Sequence, residues 1–131
     1  MDGFLVQQPF ADLIAQGIKT WELRTSPVHL PRNRPFYILS TARPHPIAPR
    51  YPGDRLGRIV GVARCTDILG PMSVDEVTQH REKHLIDTRV LARYARGRKL
   101  YAMVLLHAEP VEPARRYTPK QGAVTIIANV S

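Results

Sequence analysis

Disulfides, membrane spans and phosphate-cradling loops are all missing from this sequence. A single cysteine, Cys65, cannot close an internal disulfide, which fits a reducing compartment. It sits in an apolar strand pattern and reads as packing rather than as a nucleophile. No apolar run approaches the roughly 20 residues that a membrane helix needs. The first residues, with Asp2 and only a short apolar patch, do not make a secretory signal. A cytoplasmic protein with no membrane association is the expectation. The glycines are scattered, so neither a P-loop nor a dinucleotide fingerprint appears, and no serine sits in a nucleophile-elbow context. No cofactor is called for. Acidic residues are also scarce: 11 Asp and Glu stand against 19 Lys and Arg, for a net charge of +8 and a pI near 10.3. Such an excess attracts phosphate-rich partners, although it also serves plain solubility.

What is present suits one domain over residues 1–131, since a 44% hydrophobic share is enough for a single core. The chain is organised around Gln8 to Arg24, QPFADLIAQGIKTWELR. Pro9 can open a helix, where its missing N–H costs nothing. Phe10, Leu13 and Ile14 then share one helical face, and Gly17 is a natural stop. From Thr20 the period changes to two, with Trp21 and Leu23 alternating against Glu22 and Arg24, as in a half-buried strand. Glu22 and Arg24 should therefore face the same way. Strict alternation sends Lys19 to the other face, so Lys19 must lie before the strand proper, or a twist must bring it round, if it is to meet Glu22.

Gly3 to Gln7 reads as a first strand. Between Thr25 and Gly53 come seven prolines, no acidic residue and four arginines, Arg32, Arg34, Arg43 and Arg50. Two proline-rich loops, Thr25–Arg34 and Arg43–Gly53, flank a strand at Phe36–Thr41. They are either functional loops or stiff surface with solvated arginines. Arg58–Leu69 is a strand with Gly61 as a bulge or close backbone approach, ended by Gly70-Pro71. Ser73 and Glu76 form a capping-box pattern for a helix from Val74 to about Leu85. A second helix runs from Asp87 or Thr88 to Gly97; along it Arg89, Arg93 and Arg96 form a basic stripe opposite Val90, Leu91 and Tyr94. Leu100–His107 and Ala123–Val130 complete six strands, with Arg115-Arg116-Tyr117 as a basic patch between them. Six strands with two or three helices fit an α+β fold built on a small barrel.

Metal ligation has little to rest on. His80 and His84 stand four apart on the expected helix, but their HREKH context matches no zincin spacing and no cysteine pair supports them. The remaining constellation is Lys19, Glu22 and Arg24, joined by Arg43 and Lys120. Arg24 presents a fork suited to phosphate, carboxylate or a base edge. A buried Lys19 beside a carboxylate could act as a base or nucleophile. The alternative is an ion pair that only fixes the strand.

The Gln8-Pro9 pair, the apolar helix, Gly17-x-Lys19 and Glu22-x-Arg24 resemble the signature of ASCH domains, a branch of the PUA-like superfamily of small RNA-associated barrels. Weaker matches follow at Ile38–Pro44, Arg58–Leu69 and Lys120-Gln121-Gly122. The resemblance implies a small PUA-like β-barrel and a role in binding RNA or a nucleotide, with DNA as a further partner. In that role Gln8, Lys19, Glu22, Arg24 and Arg43 would line a cleft. Arg89, Arg93, Arg96, Arg115, Arg116 and Lys120 would serve the nucleic-acid backbone. Some relatives are instead hydrolases of N4-acetylcytidine or of RNA, which would make Lys19 and Glu22 catalytic. In the acetylcytidine branch a threonine stands where this chain has Glu22, which argues for binding.

Overall fold

The computed structural model describes residues 1–49, 55–122 and 125–131. Arg50 and residues 51–53 of the second proline-rich loop, and Ala123 and Val124 of the expected last strand, lie outside the described residues. Ten elements follow in order: β1 (Gly3–Val6), α1 (Phe10–Ala15), β2 (Trp21–Arg24), β3 (Pro35–Ser40), β4 (Arg58–Met72), α2 (Val74–Thr78), α3 (Arg81–His84), α4 (Thr88–Ala95), β5 (Leu100–Arg116) and β6 (Ile126–Ile127). One six-stranded mixed sheet carries them in the order β2-β5-β4-β3-β1-β6, making the α+β fold expected. Among the described strands only β1 and β3 pair in parallel, with one isolated parallel bridge between Arg32 and Cys65. The sheet does not close: β2 and β6 are its two ends.

Local sequence accounts for most of these elements. The alternation at Trp21–Arg24 becomes β2, paired antiparallel to β5 with Glu22 opposite Met103. Ser73 Oγ accepts from Glu76 N–H and Glu76 Oε1 accepts from Ser73 N–H, both at 3.1 Å, so the capping box forms as read. Gly61 takes both of its expected roles. The β4–β5 register shifts between Ile59 and Gly61, and a Cβ at Gly61 would stand 2.6 Å from Ala15 Cβ. Its lack of a side chain is what lets α1 lie on the sheet.

Four elements depart from their sequence patterns: among the described residues the last strand is Ile126–Ile127 alone rather than Ala123–Val130, and the other three depart for tertiary reasons. The helix expected from Val74 to Leu85 is two short helices. His84 folds back so that its Nε2 bonds the Val77 carbonyl at 2.9 Å, and the carbonyls of Lys83 and His84 accept from Thr20 N–H and Lys19 Nζ. Four short helices result instead of two or three. Strand β4 continues through Gly70-Pro71 because the ladder resumes at Met72 opposite Leu100, with Gly70 at φ +122 pressed against Leu100 and Tyr101. Strand β5 runs on to Arg116 past Pro110 and Pro113. Pro110 stays in register opposite Gly61, and the shift opposite Ile59–Gly61 leaves 111–114 outside the ladder, where Pro113 forfeits no sheet bond.

The main core lies between the sheet and α1 and α4, around Phe4, Ile14, Ile38, Leu91 and Met103. A smaller cluster of Leu5, Leu39, Ile59 and Ile127 is shielded by Tyr37 and Tyr117. Cys65 is buried, and burial raises its thiol pKa, consistent with packing. No helix among the described residues is long and apolar enough to cross a membrane.

Candidate functional site

Lys19, Glu22 and Arg24 meet where the sheet is open. Lys19 lies before β2, and its Nζ stands 3.8 Å from Glu22 Oε1. Glu22 Oε2 accepts two bonds from Arg24, from Nε at 3.1 Å and Nη2 at 2.9 Å. Nη2 also donates to the Leu5 carbonyl at 2.8 Å, so this side chain spans the seam from β2 to β1. The guanidinium rests 4.8 Å over the Phe4 ring. Among the described residues Nη1 has no acceptor, and the Arg24 side chain keeps 20% of its surface exposed against 7% for Glu22. The pair is thus closed on itself but open on one side.

That side is a cavity of about 270 Å³. Glu22, Leu23 and Arg24 from β2 form one wall; Phe10, His45 and Tyr94 bring three aromatic rings to it. His45 lies edge-on to Phe10 at 5.4 Å between centroids and 6.2 Å from Tyr94. Its Nδ1 accepts from Ile47 N–H at 3.1 Å and Ala48 N–H at 3.0 Å, which puts the ring proton on Nε2. Burial lowers the His45 pKa, Glu22 opposes the shift, and Lys19 and Arg24 add to it. The ring is therefore neutral at pH 7 and offers a donor. Burial likewise raises the Tyr94 pKa and keeps its hydroxyl protonated.

Lys19 does not line the cavity. Fully buried behind Glu22, it donates to the His84 carbonyl at 2.6 Å and sits 4.7 Å over the Phe10 ring. Desolvation lowers its pKa to about 8, with Glu22 holding it up and Arg24 pressing it down. Gln8 supports the site from outside. Its Nε2 donates to the Arg55 carbonyl, its Oε1 accepts from Asp12 N–H, and its own carbonyl accepts from His45 N–H. The neighbouring Gln7 is the one that lines the cavity. Arg43 is exposed on the loop, with its carbonyl held by the Thr41 hydroxyl.

Tyr94 also walls a second, wider groove of about 530 Å³, lined by Arg93, Arg96, Arg98, Thr25 and Ile47. No acidic group among the described residues pairs with these arginines. Arg89 is exposed on α4 and lines neither space, while Arg96 caps α4 at φ +51 and shares the groove with Arg93. Arg115, Arg116 and Lys120 lie elsewhere. Arg115 bonds the Tyr37 hydroxyl at 3.0 Å, Arg116 faces Arg58 across the ladder, and Lys120 bonds the Ala128 carbonyl at 3.3 Å. His84 spends both ring nitrogens on backbone, while His80 stacks on Trp21 at 5.0 Å. No trio of His, Cys, Asp or Glu among the described residues is arranged to hold a metal.

Sequence reading thus found Glu22 and Arg24 but missed His45, the cavity role of Tyr94, and Arg98. Tyr94 was legible as an apolar-side residue of its helix. His45 carried only the weak signal of a histidine between Pro44 and Pro46.

Comparison with known proteins agrees with the fold. The ASCH protein of Zymomonas mobilis superposes with a TM-score of 0.71 at 18% identity, covering 96% of this chain and 85% of that one. A serine-to-alanine variant of it gives 0.69 at 17% identity with the same coverage. A tyrosine-to-phenylalanine variant gives 0.65 at 21%, covering 87% and 74%. At such identities the likeness speaks for the fold alone. No curated protein sequence matches the chain. The ASCH domain profile, however, matches residues 5–115. The chain belongs to the ASCH domain family.

Proposed function

We propose that this chain binds RNA or a nucleotide, taking one base into the cavity and the adjoining phosphate into the arginine groove. One observation carries the reading: Tyr94 is a wall shared by a base-sized cavity and a groove lined by three arginines. At about 270 Å³ the cavity falls just below the ~300–1,000 Å³ of drug-sized sites, which suits a single flat heterocycle. Phe10 and Tyr94 supply ring faces for stacking, while Arg24 Nη1 and His45 Nε2 supply donors. The net charge of +8 draws a polyanion to the groove.

Titration of a short RNA at several salt concentrations tests the division of labour. Arg93→Ala and Arg98→Ala should weaken binding evenly across sequences and reduce the salt slope by about one each, as phosphate contacts do. Tyr94→Ala should lose about 1–3 kcal/mol through stacking while leaving that slope in place. The reading fails if all three variants behave alike, or if no RNA binds at low salt.

A hydrolase reading draws on Lys19, whose pKa of about 8 makes a neutral amine accessible near neutrality. Against it, Nζ is bonded to a carbonyl and separated from the cavity by Glu22. Turnover of N4-acetylcytidine or RNA that is lost in Lys19→Ala would favour it.

A further inference from the structure

Among the described residues the sheet ends at β2, and Glu22, Leu23 and Arg24 of that strand line the cavity. Among the described residues β2 pairs with β5 alone, and Leu105 N–H donates to the Thr20 carbonyl at 2.7 Å, which sets the phase of the ladder. Bonded positions in an antiparallel pair alternate, so residues 20, 22 and 24 bond to β5 while the N–H and C=O of Leu23 point away from it. No described residue, through backbone or side chain, bonds either Leu23 group. Yet Leu23 is only 4% exposed and lines the cavity. A buried peptide donor and acceptor without partners is rare, and its cost is comparable to that of a lost hydrogen bond.

From this we infer that the Leu23 backbone is a specificity element that reads the base-pairing edge of the nucleobase in the cavity. The inference rests on the nucleotide reading above. In an extended residue the N–H and C=O project side by side on one edge, a donor next to an acceptor. The base-pairing edge of each nucleobase presents an acceptor and a donor side by side, which is the complement. The neighbouring side chains are less suited to that task. Glu22 Oε2 already takes two bonds from Arg24, and its Oε1 faces Lys19. Side chains around the ring hold it in place, and the strand edge tests whether its pairing face is unmodified.

Amide hydrogen exchange combined with nucleotide titration decides the matter. In the free protein the Leu23 amide should exchange at least tenfold faster than those of Glu22 and Arg24, whose N–H groups lie in the ladder. The probes are the four ribonucleoside 5′-monophosphates and their analogues methylated on the ring nitrogen of the base-pairing edge. A monophosphate that binds should slow Leu23 exchange tenfold or more, and its methylated analogue should bind at least tenfold more weakly. Binding with unchanged Leu23 exchange, or equal affinity for the methylated analogue, overturns the inference and leaves the proposed function standing. Failure of every nucleotide and of RNA to bind overturns both.

Discussion

Replacing Lys19 by methionine should make stability less dependent on pH, in a window set by the burial of its amine. Lys19 is fully buried, and desolvation brings its pKa from 10.5 to about 8. Below pH 8 both folded and unfolded chains carry the proton, and the folded chain bears the cost of a buried ammonium. Between pH 8 and 10.5 the folded chain has released a proton that the unfolded chain keeps, so stability rises with pH. Above 10.5 both are neutral and the gain is complete. At about 1.4 kcal/mol per pKa unit the full swing is about 3 kcal/mol, of which roughly 2–3 kcal/mol should appear between pH 7 and 10. Raised tyrosine pKa values at Tyr94 and Tyr117 act in the opposite sense at high pH. Both proteins share them, so they cancel in the difference. The assay is urea unfolding of wild type and Lys19→Met at pH 7, 8, 9 and 10. With an m-value of about 1–3 kcal/mol per molar, the wild-type midpoint should gain on the variant by about 1–2 M across that range. Parallel midpoint curves would refute the idea that Lys19 is charged at a cost within the fold.

Two further predictions concern how the site is held. Gly61→Ala should destabilise by about 1–3 kcal/mol and lower the melting temperature by about 3 °C or more, because its Cβ would meet Ala15 Cβ at 2.6 Å and push α1 off the sheet. A variant that melts at or above wild type would show that α1 is free to move. Ser73→Ala should cost about 0.5–1 kcal/mol by removing the acceptor for Glu76 N–H, and Ser73→Thr should restore it. Equal midpoints for alanine and threonine would remove the capping box from the account of α2.

The sequence by itself determined the elements whose reasons are local. A period of two put Glu22 and Arg24 on one face of a strand, and the structure pairs them at 2.9 Å there. Ser73 and Glu76 announced their cap, Gly61 announced a close approach, and each of the six strands overlaps a stretch that reads as a strand, although β4 and β5 run beyond theirs. Tertiary structure alone decided the rest. The helix expected over 74–85 breaks because the Lys83 and His84 carbonyls accept from Thr20 and Lys19, far along the chain, while the His84 ring turns back to the Val77 carbonyl, and no helical periodicity encodes a distant donor. The cavity exists because the sheet stops at β2, and strand order is a global property of chain path. His45 and Tyr94 lie 49 residues apart by numbering, and they become neighbours only when the proline-rich loop and α4 fold over the same open seam. The sequence names the residues able to touch a ligand, but which of them face a common space depends on where the sheet ends.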